Sequence, residues 1–289
     1  MNTLSTLVCS SFLQKHLKED SLSFLPPQKR EALKKPPSTL QDLSLGFDLK
    51  DSILNLVHDS WISPFLRTLS KSDLLLFLSA LPEKKADNLR KELLFTPSLI
   101  QVSTQAKSFL IRTMAKALIS SFPHLLPIEA LPSSQLNQLL ELSLKDLYTL
   151  IDLLGLHDLS IEIKQIIDTT RLKQIHAILS QKQKAYLQHL TNQRERVLFK
   201  RLELHNWNGK PEPLLQLLRQ RGLNRLAKAL YPESPSLIWY LCHRMPSEEA
   251  SLFSSLHNPL EHTKAHQFLA RQVLDGLSFL QQITPPTPS

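Results

Sequence analysis

The chain has 289 residues, length enough for one large domain or two to three small ones with ample core. Leucine dominates it and glycine occurs only 5 times, which argues for an all-α protein and against the Val/Ile runs and glycine turns of a mixed α/β chain. A net charge of +8 suits an acidic partner, nucleic acid or anionic headgroups, and 2 cysteines exclude a disulfide scaffold and fit a reducing cytoplasm.

Residues 1–45 read as an attached flexible segment. Pro26-Pro27, Pro36-Pro37 and the basic stretch Lys29 to Lys35 cut it into pieces too short for a core. Its start carries no positive charge before a short apolar stretch, so it is a poor secretory signal. The chain contains no run of eighteen apolar residues able to span a bilayer.

A first helical repeat domain is expected over 46–125. Ser70 caps a helix, Asp73 occupies its first turn, and Leu74, Phe77, Leu78 and Leu81 form one apolar stripe. Pro82 stops that helix and opens the next, which carries Ala86, Leu89 and Leu93.

A second domain is expected over 126–205. There the same grammar returns, with Ser143 as cap, Asp146 in the first turn, Leu147, Leu150, Ile151 and Leu154 as stripe, and Gly155 as C-terminal stop. The stretch Arg171 to Leu204 follows, carrying Arg171, Lys173, Lys182, Lys184, Arg194, Arg196, Lys200 and Arg201. Leu172, Ile175, Ile178 and Leu179 give it a buried face, so it reads as two basic helices. Asn206-Trp207-Asn208-Gly209 is a turn and marks the next boundary.

A third domain is expected over 206–283, before a proline-rich tail at 284–289. Ser234 caps, Pro235 takes the first helical position, Ile238, Leu241, Cys242 and Met245 make the stripe, and Pro246 ends it. Ala250 then stands where Ala86 stood. Units of this kind stack into arrays of helical hairpins, of armadillo or HEAT type, whose surfaces recognise partners.

Chemistry finds little purchase in the pattern. His262 and His266 lie four residues apart, with His257, His243 and Cys242 near in sequence, but no glutamate completes a zinc-protease arrangement and they read as surface histidines. The sequence contains no nucleophile elbow and no glycine-rich phosphate loop. The expectation is a non-enzymatic protein with no metal and no cofactor. Arg219, Arg221, Arg225 and Lys228 stand beside Leu223, Leu226 and Leu230, with Trp239 and Tyr240 following. Arginine and aromatic side chains beside an apolar face are what interface hot spots use, so Arg221, Arg225, Trp239 and Tyr240 are the expected partner-binding residues.

The run Glu233-Ser-Pro235-Ser-Leu-Ile238, followed by Pro246 and Ala250, resembles the middle-domain repeats of the flagellar motor-switch protein FliG family. Those repeats read E-x-P-x-x-I, a helix, then P-x-x-A-A. Here Ser251 replaces the second alanine and the helix is one residue shorter. The resemblance implies a cytoplasmic adaptor or scaffold, peripheral to the inner membrane, in a bacterial flagellar or type III secretion assembly. It would bind other protein subunits there, in the manner of an SctK-like sorting-platform accessory protein. The alternatives are a nucleic-acid-binding helical protein, which would use the basic residues of 171–204, and a secreted effector whose first residues act as an export signal.

Overall fold

A computed structural model describes residues 49–191, 199 and 201–283. The segment 1–45, Cys9, the tail 284–289 and the basic residues Arg194, Arg196 and Lys200 therefore lie outside the described residues. Every regular element among the described residues is helical, so the chain is all-α. Two compact units divide it at Pro132/Ser133, where three domains were expected. The segments 133–191 and 206–283 share one core, because helices on either side of the 206–209 turn pack directly on each other, and 126–132 belongs to the first unit. Gly209 does turn the chain at a φ of 80°, but inside the second unit.

The first unit contains α1 (Leu49–Leu56), α2 (Asp59–Arg67), α3 (Lys71–Ala80), α4 (Glu83–Glu92) and α5 (Thr104–Ile119). Ser70 caps α3: its Oγ accepts the Asp73 backbone N–H at 3.2 Å and donates to the Asp73 carboxylate at 2.6 Å. Helix α5 packs on α1, α2 and α3, burying Leu54, Leu66, Leu78 and Met114. Phe65 meets Phe77 edge to face at 5.4 Å. Lys85 of α4 donates to the Val57 carbonyl and pairs with Asp59 at 3.2 Å, tying α4 to the α1–α2 corner.

The second unit opens with a 3-10 turn, Gln135–Leu140, and is built on α6 (Leu144–Ile163). Around it lie α7 (Thr169–Ile178), α8 (Gln181–Thr191), α9 (Pro211–Ala229), α10 (Pro235–Arg244), α11 (Ser247–Leu256) and α12 (Thr263–Ile283), with α8, α9 and α12 packed directly on α6. Ser143 caps α6 with the geometry of Ser70, and Leu147, Leu150, Ile151 and Leu154 are all buried. Gly155 does not stop the helix, which runs eight residues further to Ile163. Its role is close approach. A Cβ on Gly155 would stand 2.1 Å from the Leu218 carbonyl oxygen of α9, and one on Gly222 of α9 would stand 1.7 Å from the Ile151 carbonyl oxygen. Two glycines facing each other across the crossing let the backbones touch. With α9 this near and α8 and α12 also against it, α6 is buried without interruption from Leu153 to Ser160.

The recurrent unit survives as a corner. Helices α3 and α10 are each 10 residues long, and each is followed by a buried residue in extended conformation, Leu81 (φ −78°, ψ 159°) and Met245 (φ −91°, ψ 158°). A proline then caps a second helix of 10 residues, and its carbonyl accepts from the buried alanine, Ala86 or Ala250. A third corner of this kind lies at Leu179-Ser180 between α7 and α8, with serine in the proline position. The Ser143–Gly155 segment lacks the corner altogether, because nothing there interrupts α6.

Candidate partner-binding surface

The four residues expected to meet a partner do not lie together on a surface. Arg225 is 1% exposed. Its Nη2 pairs with Asp158 of α6 at 2.5 Å, its Nη1 donates to Gln272 of α12 at 2.8 Å, and its guanidinium sits 5.1 Å from the centre of the Phe199 ring. A charge taken this far from water is held by a partner charge and hydrogen bonds, and here both come from the chain itself. Trp239 and Tyr240 are 7% and 3% exposed and belong to the core. Trp239 stacks on His243 at 3.8 Å, and His243 Nδ1 donates to the Trp239 carbonyl at 2.8 Å. Arg221 is part-exposed and donates to the Arg201 carbonyl at 3.0 Å. The physical reason is the α6–α9 glycine crossing. It draws the second half of α9 into the interior, and α10 follows it with α11 against it.

Other polar groups of this region are also engaged, while the Trp239 Nε1 is buried without a hydrogen-bond partner among the described residues. Arg219 makes a two-pronged contact with Asp152, both distances 3.0 Å, and lies 5.2 Å over the Tyr148 ring. Tyr148 donates to Glu249 at 2.6 Å, and burial with that carboxylate pushes its phenol well above the usual range. Lys228 donates to the Asn258 carbonyl. Arg244 reaches the carbonyls of Leu139, Leu140 and Leu142 and closes the end of the 3-10 turn.

The histidines are likewise distributed. His266 is buried rather than at the surface, with Nδ1 donating to the Lys228 carbonyl at 2.6 Å and Nε2 accepting from the Leu260 N–H at 3.1 Å. His262, one turn away, is exposed. Among the described residues no group of three or more His, Cys, Asp or Glu could hold a metal ion. Burial pushes the Cys242 thiol up to about 11, which keeps it protonated and unreactive at neutral pH. No helix of the described residues is long and apolar enough to cross a membrane.

An exposed aromatic anchor lies in the first unit, on α5. Phe109 is 68% exposed, and Gln105, Arg112 and Lys116 share its helix face by their three- and four-residue spacings. Thr104, Gln105, Ser108, Phe109 and Arg112 line a shallow cleft there. The helix holds Lys107, Arg112 and Lys116 and no acidic residue. Its inner face, Ile111, Met114 and Ala115, is in the core, so the outer face is rigidly presented. The signal in the sequence was available: Phe109 falls off the Ile111–Met114–Ala115 stripe, and its neighbours on the wheel are polar or basic. No family model, curated protein or solved structure matches the chain.

Proposed function

We propose that the chain is a non-enzymatic adaptor that binds an amphipathic helix of a partner protein on the outer face of α5. The observation that carries this reading is Phe109, a large ring left mostly in water on a helix whose opposite face, Ile111, Met114 and Ala115, is buried, and bordered by cations. Aromatic anchors with arginine beside them dominate binding energy in protein interfaces, and an acid-free helix favours a partner with carboxylates at its rim. The occupant is a helix with apolar residues at i, i+3/i+4 and i+7 spacing and acidic flanks. The resemblance of the Glu233–Ala250 corner to FliG-type repeats supports placing this adaptor in a flagellar or type III secretion assembly beside the inner membrane.

The test replaces Phe109 by a photo-crosslinking amino acid in the cell that makes the protein. A discrete adduct with one protein is expected, lost when Lys116→Glu is added and absent when the crosslinker replaces exposed Gln138 instead. Equal adducts from both positions, or none from position 109, refute the assignment.

A further inference from the structure

Helices α7 and α8 carry Arg171, Lys173, Lys182 and Lys184, with His176 and His189, and residues 169–191 include no aspartate or glutamate. No ion pair among the described residues involves Lys173, Lys182 or Lys184. The nearest preceding carboxylate, Asp168, is occupied as the cap of α7, accepting the N–H groups of Thr170 and Arg171. Among the described residues the lysines of this hairpin therefore project positive potential that no ion pair neutralises.

That potential surrounds an opening. A cleft of about 280 Å³ lies between the end of α6 and the α7–α8 hairpin, lined by Ile163, His176, Lys184, Leu187, Gln188 and Thr191. Leu187 is its apolar floor and Ile163 a wall. Lys184, Gln188 and Thr191 repeat at four- and three-residue spacing along the same face of α8. Lys173 precedes His176 by one turn on α7 and sits on the same side. The volume falls below the roughly 300–1,000 Å³ of small-molecule sites, and the cleft is open. It suits one or two apolar side chains of a longer ligand.

We infer that this cleft binds an acidic peptide segment of a partner protein, an apolar side chain seated on Leu187 and Ile163 with flanking carboxylates on Lys173 and Lys184. Nucleic acid fits less well. Single-strand recognition without sequence preference uses exposed rings for base stacking. Tyr186, the one Phe, Tyr or Trp of residues 169–191, is 1% exposed and paired with His157. This surface stands on different residues and a different unit from the α5 reading, so either can fail alone.

Fluorescence anisotropy with the purified full chain tests it. The probe is a labelled ten-residue peptide of glutamates around two central leucines; comparison probes are the same peptide with serines for the leucines and an oligothymidylate of equal charge. Saturable binding of the leucine peptide is expected. It should weaken about tenfold or more in Lys184→Glu and in Lys173→Glu, the scale of one lost charge contact of about 1.4 kcal/mol. Lys182→Glu, which changes the charge equally on the opposite face of α8, should leave it within about twofold, and circular dichroism checks that all three variants fold. The inference is overturned by failure of the leucine peptide to saturate, by equal weakening in Lys182→Glu, or by equal binding of the serine peptide. Tighter binding of the oligothymidylate overturns it in favour of nucleic acid.

Discussion

Gly222→Ala places a methyl group where the structure has no room for one. The new Cβ would stand 1.7 Å from the Ile151 carbonyl oxygen, 2.7 Å from its carbon and 3.0 Å from the Gly155 nitrogen. These are backbone atoms of α6, so no side-chain rotation relieves the clash. To reach a 3.4 Å contact the two helices must separate by roughly 1.7 Å. A gap of even 0.5–1 Å already forfeits about a quarter to a half of the dispersion attraction between the facing groups. Overpacking costs about 1–3 kcal/mol where neighbours can adjust, and here they are fixed, so a cost of about 3 kcal/mol or more is expected. Alanine's better helix propensity returns only about 1 kcal/mol. The net expectation is a loss of about 2 kcal/mol or more. Gly276→Ala is the control. Its Cβ would meet the Leu150 Cδ1 at 2.7 Å, the tip of a side chain that can turn away, and the net change should stay within about 1 kcal/mol. Guanidinium unfolding followed by tryptophan fluorescence in a Trp61→Phe background reads the second unit, since Trp207 and Trp239 remain there. A Gly222→Ala protein as stable as its parent would refute the close crossing of α6 and α9.

Two further outcomes follow from the same unit. Removing one side of the buried pair, by Asp158→Ala or Arg225→Ala, should cost about 3–5 kcal/mol, and the double variant Asp158→Ala/Arg225→Ala less than the sum; additive costs in this double-mutant cycle would show that the two groups do not interact. Burial against Trp239 lowers the His243 pKa, partly offset by its hydrogen bond to the Trp239 carbonyl, so the folded state disfavours the imidazolium. Stability should hold above about pH 6.5, the unfolded value, and fall as pH drops toward the lowered folded value, with a shallower fall in His243→Gln; an unchanged slope would contradict this.

The sequence by itself determined the class of fold and much of its punctuation. Leucine stripes at helical spacing, Ser70 and Ser143 three residues before an aspartate, and prolines 82 and 246 act through neighbours in the chain, so their consequences are readable without tertiary knowledge. The Leu179-Ser180 corner was harder to see because serine leaves no mark as strong as proline's. What only the tertiary structure decided was which polar and aromatic residues face water. Arg225 and Trp239 look like interface anchors in one dimension, yet Asp158 lies 67 residues from Arg225 and Gln272 lies 47, and those distant groups allow the charge to be buried. Gly155 reads locally as a stop because glycine ends helices. It continues one because another helix, brought there by Gly222, needs the space.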